Sequence, residues 1–262
     1  MNLTEELQEK LDILKAIPSS ETNKIKSVFF ETFKYRRSLI NKGSAMEIFP
    51  KFHETVGLIE QEFLLMFPSY IASFKENYLD AIEKILEIFE NTSSSRNQLK
   101  ECGFNRTIQS FFALLKMLPP SPKGKRKKDI APTTKAFEKV LIFHQISLPL
   151  METIEKTSNT QPYIIAKGNS KLLLEEFLIV LDGKLLPDVF TTFEDSVDYL
   201  MKVHFVFQVK YDSSLENLYK FIQVYFYNMD TENVLFNSAM LKLKCLLKDN
   251  DHQLLISQFQ TK

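Results

Sequence analysis

The segment EEFLIVLDGKLLPD, residues 175–188, predicts a β-hairpin and thereby decides the fold class of the C-terminal half. Two apolar runs flank Asp182-Gly183, a dipeptide that suits a two-residue type I′ turn because both central positions of that turn need positive φ. We expect Pro187 to end the second strand. Upstream, YIIAKG at 163–168 is a third short run rich in β-branched and aromatic residues. The pattern therefore predicts a small antiparallel sheet of about three strands.

Helical periodicity begins on both sides of this sheet. Thr192 with Asp195, and Ser213 with Glu216, have the spacing of capping boxes, and a further helix is expected from Val234. Residues 134–156 are also predicted to be helical, with a break at Pro149, because apolar spacing of three and four runs through Phe137, Val140, Leu141, His144 and Leu148. We therefore expect helices to pack against the sheet.

The first half of the chain is predicted to be helical throughout, in five segments with apolar stripes at three-four spacing. Arg36 lies on the stripe of the second segment, between Phe29 and Ile40. The complete pattern predicts a mainly α-helical α+β protein with an all-helical region at 1–118, a basic, proline-containing linker at 119–133 and an α+β module at 134–262. It leaves open whether the two halves pack as one unit.

Composition favours an intracellular globular protein. Lysine plus arginine and aspartate plus glutamate number 33 each, and this zero net charge argues against a protein that coats nucleic acid. Cys102 and Cys245 belong to no metal-ligand spacing, as expected in a reducing compartment. The acidic N-terminus lacks the layout of a signal peptide, and no apolar run approaches the roughly 18 residues of a membrane span. We therefore expect a soluble chain without membrane contact.

No motif indicates catalysis. The sequence has no GxSxG, P-loop or dinucleotide fingerprint, and His144 and His204 lie on apolar stripes where a histidine is expected to be a hydrogen-bonded core residue. His53-Glu54 begins like a zinc-helix motif, but Gly57 stands where the second histidine would be. We predict no catalytic residue, no cofactor and no metal, with an enzyme built from residues remote in sequence as an alternative.

The segment SPKGKRKKD, residues 121–129, is the one strongly charged stretch, and its basic residues are Lys123, Lys125, Arg126, Lys127 and Lys128. An exposed basic run predicts a nuclear address that docks on an import receptor, with the nucleus as location and the cytoplasm as the alternative. Weak, salt-sensitive contact with nucleic-acid phosphates, helped by Arg36 and Arg37, is a second interpretation, and a solvated linker is a third. Ser121-Pro122 is a candidate phosphorylation site, where added negative charge would weaken such docking.

Two segments resemble blocks of a family of uncharacterised, multicopy animal proteins. They are EIFPKFHETVGLIEQEFLLMFP at 47–68 and SVDYLMKVHFVFQVKYDSSLENLYKFIQVYFYNMD at 196–230, and MLPPSPKGKRKK at 117–128 resembles the family's basic connector. The resemblance implies descent linked to mobile elements and names no reaction. Many members carry an additional N-terminal recognition module; because this chain starts directly in the helical region, we expect that role not to carry over.

The resulting functional prediction is a non-enzymatic protein-interaction module with unidentified protein partners. Five aromatic residues fall on more than one face of their helices: Phe111, Phe112, Tyr225, Phe226 and Tyr227. We expect these helices to be buried on two sides, and an exposed aromatic patch for a partner or for self-association is the alternative.

Overall fold

The computed structural model describes residues 5–40, 49–70, 74–91, 99, 102–120, 133–159 and 161–248. Among these residues, seven helices precede the basic segment: α1 Glu5–Ala16, α2 Thr22–Glu31, α3 Phe33–Ile40, α4 Lys51–Glu54, α5 Leu58–Met66, α6 Phe74–Asn91 and α7 Arg106–Met117. The elements after it are α8 Thr133–Glu138, β1 Leu141–Gln145, α9 Leu150–Glu155, β2 Tyr163–Ser170, β3 Leu173–Leu181, β4 Lys184–Phe190, α10 Phe193–Phe207, α11 Glu216–Phe221, which continues as a π-helix over Ile222–Phe226, and α12 at 238–248. This arrangement confirms the predicted α+β class, with a helical first half and a sheet in the second.

The sheet has the strand order β1-β2-β3-β4. The hairpin of β3 and β4 is confirmed, with Asp182 and Gly183 at φ values of 51° and 72° as a type I′ turn requires. β2 pairs antiparallel with β3, while β1 runs parallel to β2 with Leu141 opposite Ile164. The sheet therefore has one strand more than predicted and is mixed.

The additional strand corrects the prediction of one helix over 134–156. That segment divides into α8, β1 and α9, because residues 141–145 pair with β2 instead of continuing the helix. Pro187 lies inside β4 and does not end it. A proline is tolerated there because β4 is an edge strand, paired only with β3, and the register shifts between Leu178 and Val180 opposite it.

The start of α10 was predicted correctly and the start of α11 was not. The Thr192 hydroxyl accepts a hydrogen bond from the Asp195 N–H at 3.3 Å, so Thr192 is the expected N-cap of α10. The residue before α11 is Leu215, whose side chain makes no capping bond. Instead, the Asp212 carboxylate accepts from the Ser214 N–H at 2.8 Å, which closes a turn ahead of the helix.

A single apolar core extends from Leu11 to Leu247 and includes residues of both halves. Its central element is α10, which packs against α5, α6 and α7 as well as β2, β3 and β4. Phe111, Phe112, Phe226 and Tyr227 are buried, as expected for helices covered on two sides, whereas Tyr225 is half-buried. The opposite face of the sheet carries a smaller cluster formed by Ile154 of α9 with Tyr163, Ile165, Leu178 and Val180. In the part of the chain that the structure describes, no helix is long and apolar enough to cross a membrane.

Candidate functional site

One edge of the sheet, along β1, has no partner strand among the described residues. Val140 O accepts from Ile164 N at 2.7 Å at the start of β1, and Ile146 N donates to Gly168 O at 3.2 Å just beyond its end. Backbone groups alternate in direction along a strand, so residues 142 and 144 also face β2. The N–H and C=O groups of Leu141 and Phe143 therefore point away from the sheet.

A cleft of about 1060 Å³ lies beside this edge, and we name it the β1 cleft. Leu141, Ile142 and Phe143 all line it. Leu141 and Phe143 belong to the large core, whereas Ile142 packs on the small cluster on the opposite face of the sheet. Because residues from both faces of the strand border the cleft, it lies beside the unpaired side of β1, where Phe143 is half-buried and Leu141 is only 3% exposed.

The inner wall of the β1 cleft is aromatic. Phe112 comes from α7, Phe137 from α8 and Phe104 from the segment before α7. The ring of Phe137 lies 5.2 Å from that of Phe112 and 6.0 Å from that of Phe104, both at edge-to-face angles. Edge-to-face pairs are favourable arrangements of aromatic rings, and these three residues, 4–6% exposed, form the buried base of an apolar wall.

The rim of the β1 cleft is basic. Its charged lining consists of Lys116, Lys135, Lys139, Lys156 and Lys171, with only Glu138 and Asp212 as acids. Lys139 pairs with Asp212 at 2.7 Å and Lys156 with Glu152 at 3.1 Å. The structure shows no acidic partner for Lys116, Lys135 or Lys171 within its described ranges; Lys116 and Lys171 instead lie over the rings of Phe112 and Phe104, at 5.4 and 5.0 Å. The cleft therefore carries an excess of positive charge.

Cys102 also lines the β1 cleft, whereas Cys245 is exposed on α12. Burial raises the pKa of the Cys102 thiol, and a backbone hydrogen bond from Phe104 and the charge of Lys171 oppose that shift only in part. The thiol is therefore protonated near neutral pH and is no activated nucleophile.

The predicted basic site cannot be placed in this structure. Ser121, Lys123, Lys125, Arg126, Lys127 and Lys128 all lie outside the described residues. The helper role given to Arg36 and Arg37 is wrong, because neither side chain is available to a phosphate. Arg36 is fully buried; its guanidinium donates to the Glu62 carboxylate, to Phe29 O and, at 2.6 Å, to Thr32 Oγ1. Arg37 donates to Val206 O at 2.6 Å and lies 3.7 Å from Glu62.

Two histidines are core residues, as predicted. His204 lies between Tyr211 and Tyr219, its Nδ1 is 3.2 Å from Val209 O, and burial lowers its pKa to about 4. His144 is buried with Nδ1 2.8 Å from Thr153 Oγ1, although it lies on a strand and not on the predicted helix. No group of three histidine, cysteine, aspartate or glutamate side chains that could hold a metal ion occurs among the residues that the structure describes.

A second polar cluster joins the helical half to the sheet. Lys202 of α10 lies 2.6 Å from both Glu60 of α5 and Asp198. Nearby, the Asp188 carboxylate accepts from the Tyr199 hydroxyl at 2.6 Å and from the Gly57 N–H at 3.0 Å. Burial raises the pKa of Asp188, opposed by these two hydrogen bonds. Each charge in this cluster has a partner, which is typical of a structural network.

In comparisons with known proteins, no family model, no curated protein and no solved structure matches the chain.

Proposed function

We propose that the chain is a non-enzymatic protein-interaction module and that the β1 cleft is its binding surface. One observation carries the proposal: an unpaired strand edge opens onto a large cleft with an aromatic wall. Unpaired edges invite pairing with another chain, and proteins usually cover or blunt them. An edge that borders a preformed apolar wall therefore fits a place where a partner docks.

The lining of the cleft supports binding over catalysis. Its ionisable groups are the five lysines, Glu138, Asp212 and the protonated thiol of Cys102, and no histidine occurs among its described lining residues. General acid–base chemistry needs a group whose pKa lies near the working pH, held within hydrogen-bond reach of its target. The alternative of an enzyme would need such a group from elsewhere in the chain.

The proposal also includes a nuclear location addressed by Lys123, Lys125, Arg126, Lys127 and Lys128. We expect replacement of Lys125, Arg126, Lys127 and Lys128 by alanine to shift a tagged full-length chain from the nucleus to the cytoplasm. Replacing Lys15, Lys24, Lys34 and Lys242 by alanine removes the same charge and is the matched control. An equal nuclear signal for the unchanged chain, the basic-run variant and the control variant would contradict the nuclear address. The family resemblance of 47–68 and 196–230 supports descent linked to mobile elements.

A nucleic-acid-associated role is the second candidate, and the lysines of the cleft without acidic partners favour it. Phosphate binding through Lys116, Lys135, Lys171 and the basic run would weaken steeply with salt. Fluorescence anisotropy with a labelled single-stranded oligonucleotide at 50 and 200 mM salt tests this role. Salt-dependent binding that is lost on changing these lysines to alanine would favour it over protein interaction.

The two cysteines allow a direct test of the cleft as a protein-binding surface. Alkylation with a bulky maleimide in a Cys245→Ser background places one adduct in the cleft, and alkylation in a Cys102→Ser background places one adduct on the exposed surface of α12. We expect affinity purification with the first adduct to lose partners that the second retains. Identical partner sets for the two adducts would refute the assignment of the surface.

A further inference from the structure

We infer that the occupant of the β1 cleft is an extended acidic segment of a partner protein, which adds a fifth strand to the sheet alongside β1. This inference rests on the proposed interaction function and names the chemistry of the ligand. Three properties of the cleft point to it: the outward N–H and C=O groups of β1, the aromatic wall, and the lysines that have no acidic partner within the described ranges.

The two edges of the sheet differ in how they are covered. At β4, helix α4 and the following loop lie against the strand: His53 Nδ1 is 3.4 Å from Leu185 O, and Gly57 N–H donates to Asp188 at 3.0 Å. At β1, no described element pairs with the outward N–H and C=O groups of Leu141 and Phe143. Since proteins normally cover or blunt the edges of a sheet, we infer that the uncovered edge at β1 is the one at which another chain pairs.

The outward groups of β1 select a polypeptide as the ligand. Half-buried Phe143 offers one donor and one acceptor, and the outward groups of Leu141, a residue only 3% exposed, lie one two-residue repeat away, about 6.6 Å. A second backbone in extended conformation presents complementary groups at the same repeat. A nucleic acid has no such regular alternation of backbone donors and acceptors, so it could use the lysines but not the strand.

The side chains of the cleft then restrict which polypeptide fits. An added strand alternates its side chains, so one set would face the wall of Phe104, Phe112 and Phe137 and the other set the rim. Lys116, Lys135 and Lys171 lack acidic partners within the described ranges, and carboxylates supply them. Charge complementarity of this kind sets the choice of partner and the rate of association. The preferred segment therefore alternates apolar residues with aspartate or glutamate.

The probe for the test is a displayed library of random 12-residue peptides, panned against the full chain. We expect enriched peptides to carry an excess of aspartate and glutamate and to lack proline in their central residues. Each peptide is then measured against Phe143→Ala and Phe143→Pro. Both variants lose the same ring, but only proline removes the outward N–H, which makes no bond to β2. We expect proline to weaken binding about tenfold relative to alanine, as loss of a strand-pairing hydrogen bond predicts.

A charge variant keeps the test decisive if proline at 143 impairs folding. Lys116→Glu with Lys135→Glu should weaken the enriched peptides at least about tenfold, while Lys15→Glu with Lys24→Glu, which changes net charge equally at exposed sites, should not. Bound peptide should also slow alkylation of Cys102 in the cleft and leave the alkylation of exposed Cys245 unchanged.

The outcomes separate this inference from the proposed function. Peptides that are not acidic, or that bind Phe143→Pro as well as Phe143→Ala, would overturn strand addition. Protein partners captured by the full chain would still support the interaction function if their binding depended on the cleft adduct at Cys102. Oligonucleotide binding that replaces peptide binding and depends on Lys116 and Lys135 would overturn both.

Discussion

Glu62→Ala should destabilise the fold strongly, because Glu62 is the carboxylate that balances the fully buried Arg36. Both side chains are fully buried, and the guanidinium also donates to Phe29 O and Thr32 Oγ1. Breaking a buried ion pair leaves an uncompensated charge and costs about 3–5 kcal/mol. Since the free energy of unfolding of a whole protein is about 5–15 kcal/mol, this one change removes a large fraction of it.

Urea unfolding followed by circular dichroism measures the loss. Glu83→Ala is the control, since Glu83 pairs with Arg106 on the surface, where both side chains are more than half exposed and the pair contributes about 0–1 kcal/mol. The double variant Arg36→Met, Glu62→Leu removes both fully buried charges and should recover part of the stability, because Arg37 still loses its contact with Glu62 but keeps its hydrogen bond to Val206 O. A loss below about 1 kcal/mol for Glu62→Ala, or a double variant no more stable than the single one, would refute the reasoning about this pair.

Two further predictions concern pH and glycine. Burial holds the pKa of His204 near 4 in the fold, against about 6.5 when unfolded, so the unfolded state binds the additional proton. The contribution of neutral His204 to the free energy of unfolding is therefore fully present above about pH 6.5, and up to about 3 kcal/mol of it is lost towards pH 4. His204→Gln should reduce this dependence on pH when urea unfolding is measured at pH 7 and pH 5. Gly168→Ala should lower the melting temperature more than Gly183→Ala. A Cβ at position 168 would lie 2.2 Å from Leu173 O, so the backbone would have to move. A Cβ at position 183 has no atom within 4 Å, and the cost there is the strain of an alanine at positive φ, about 1–2 kcal/mol. Equal melting temperatures for the two alanine variants would contradict that ranking.

Local signals in the sequence were sufficient for part of this fold. The Asp182-Gly183 turn and the Thr192 cap each act over a few residues, so both were predictable. The Arg36–Glu62 pair was not, because its partners lie 26 residues apart. The position of Arg36 on an apolar stripe was nevertheless a signal of burial, which the interpretation of Arg36 as a phosphate contact overlooked. The basic run at 123–128 stays a prediction, since it lies outside the described residues.

The β1 cleft was hidden from the sequence for the same physical reason that makes it a binding surface. A strand of a parallel sheet that is covered on both faces reads as a continuous apolar run. Among the described residues β1 pairs only with β2, and His144 and exposed Gln145 interrupt its apolar residues. Over so few residues, the apolar positions Val140, Leu141 and His144 fit the three-four spacing of a helix as well as they fit the pattern of a strand. An edge that lacks its second neighbour thus carries a weak signal in the sequence, and the missing neighbour is what the proposed partner would supply.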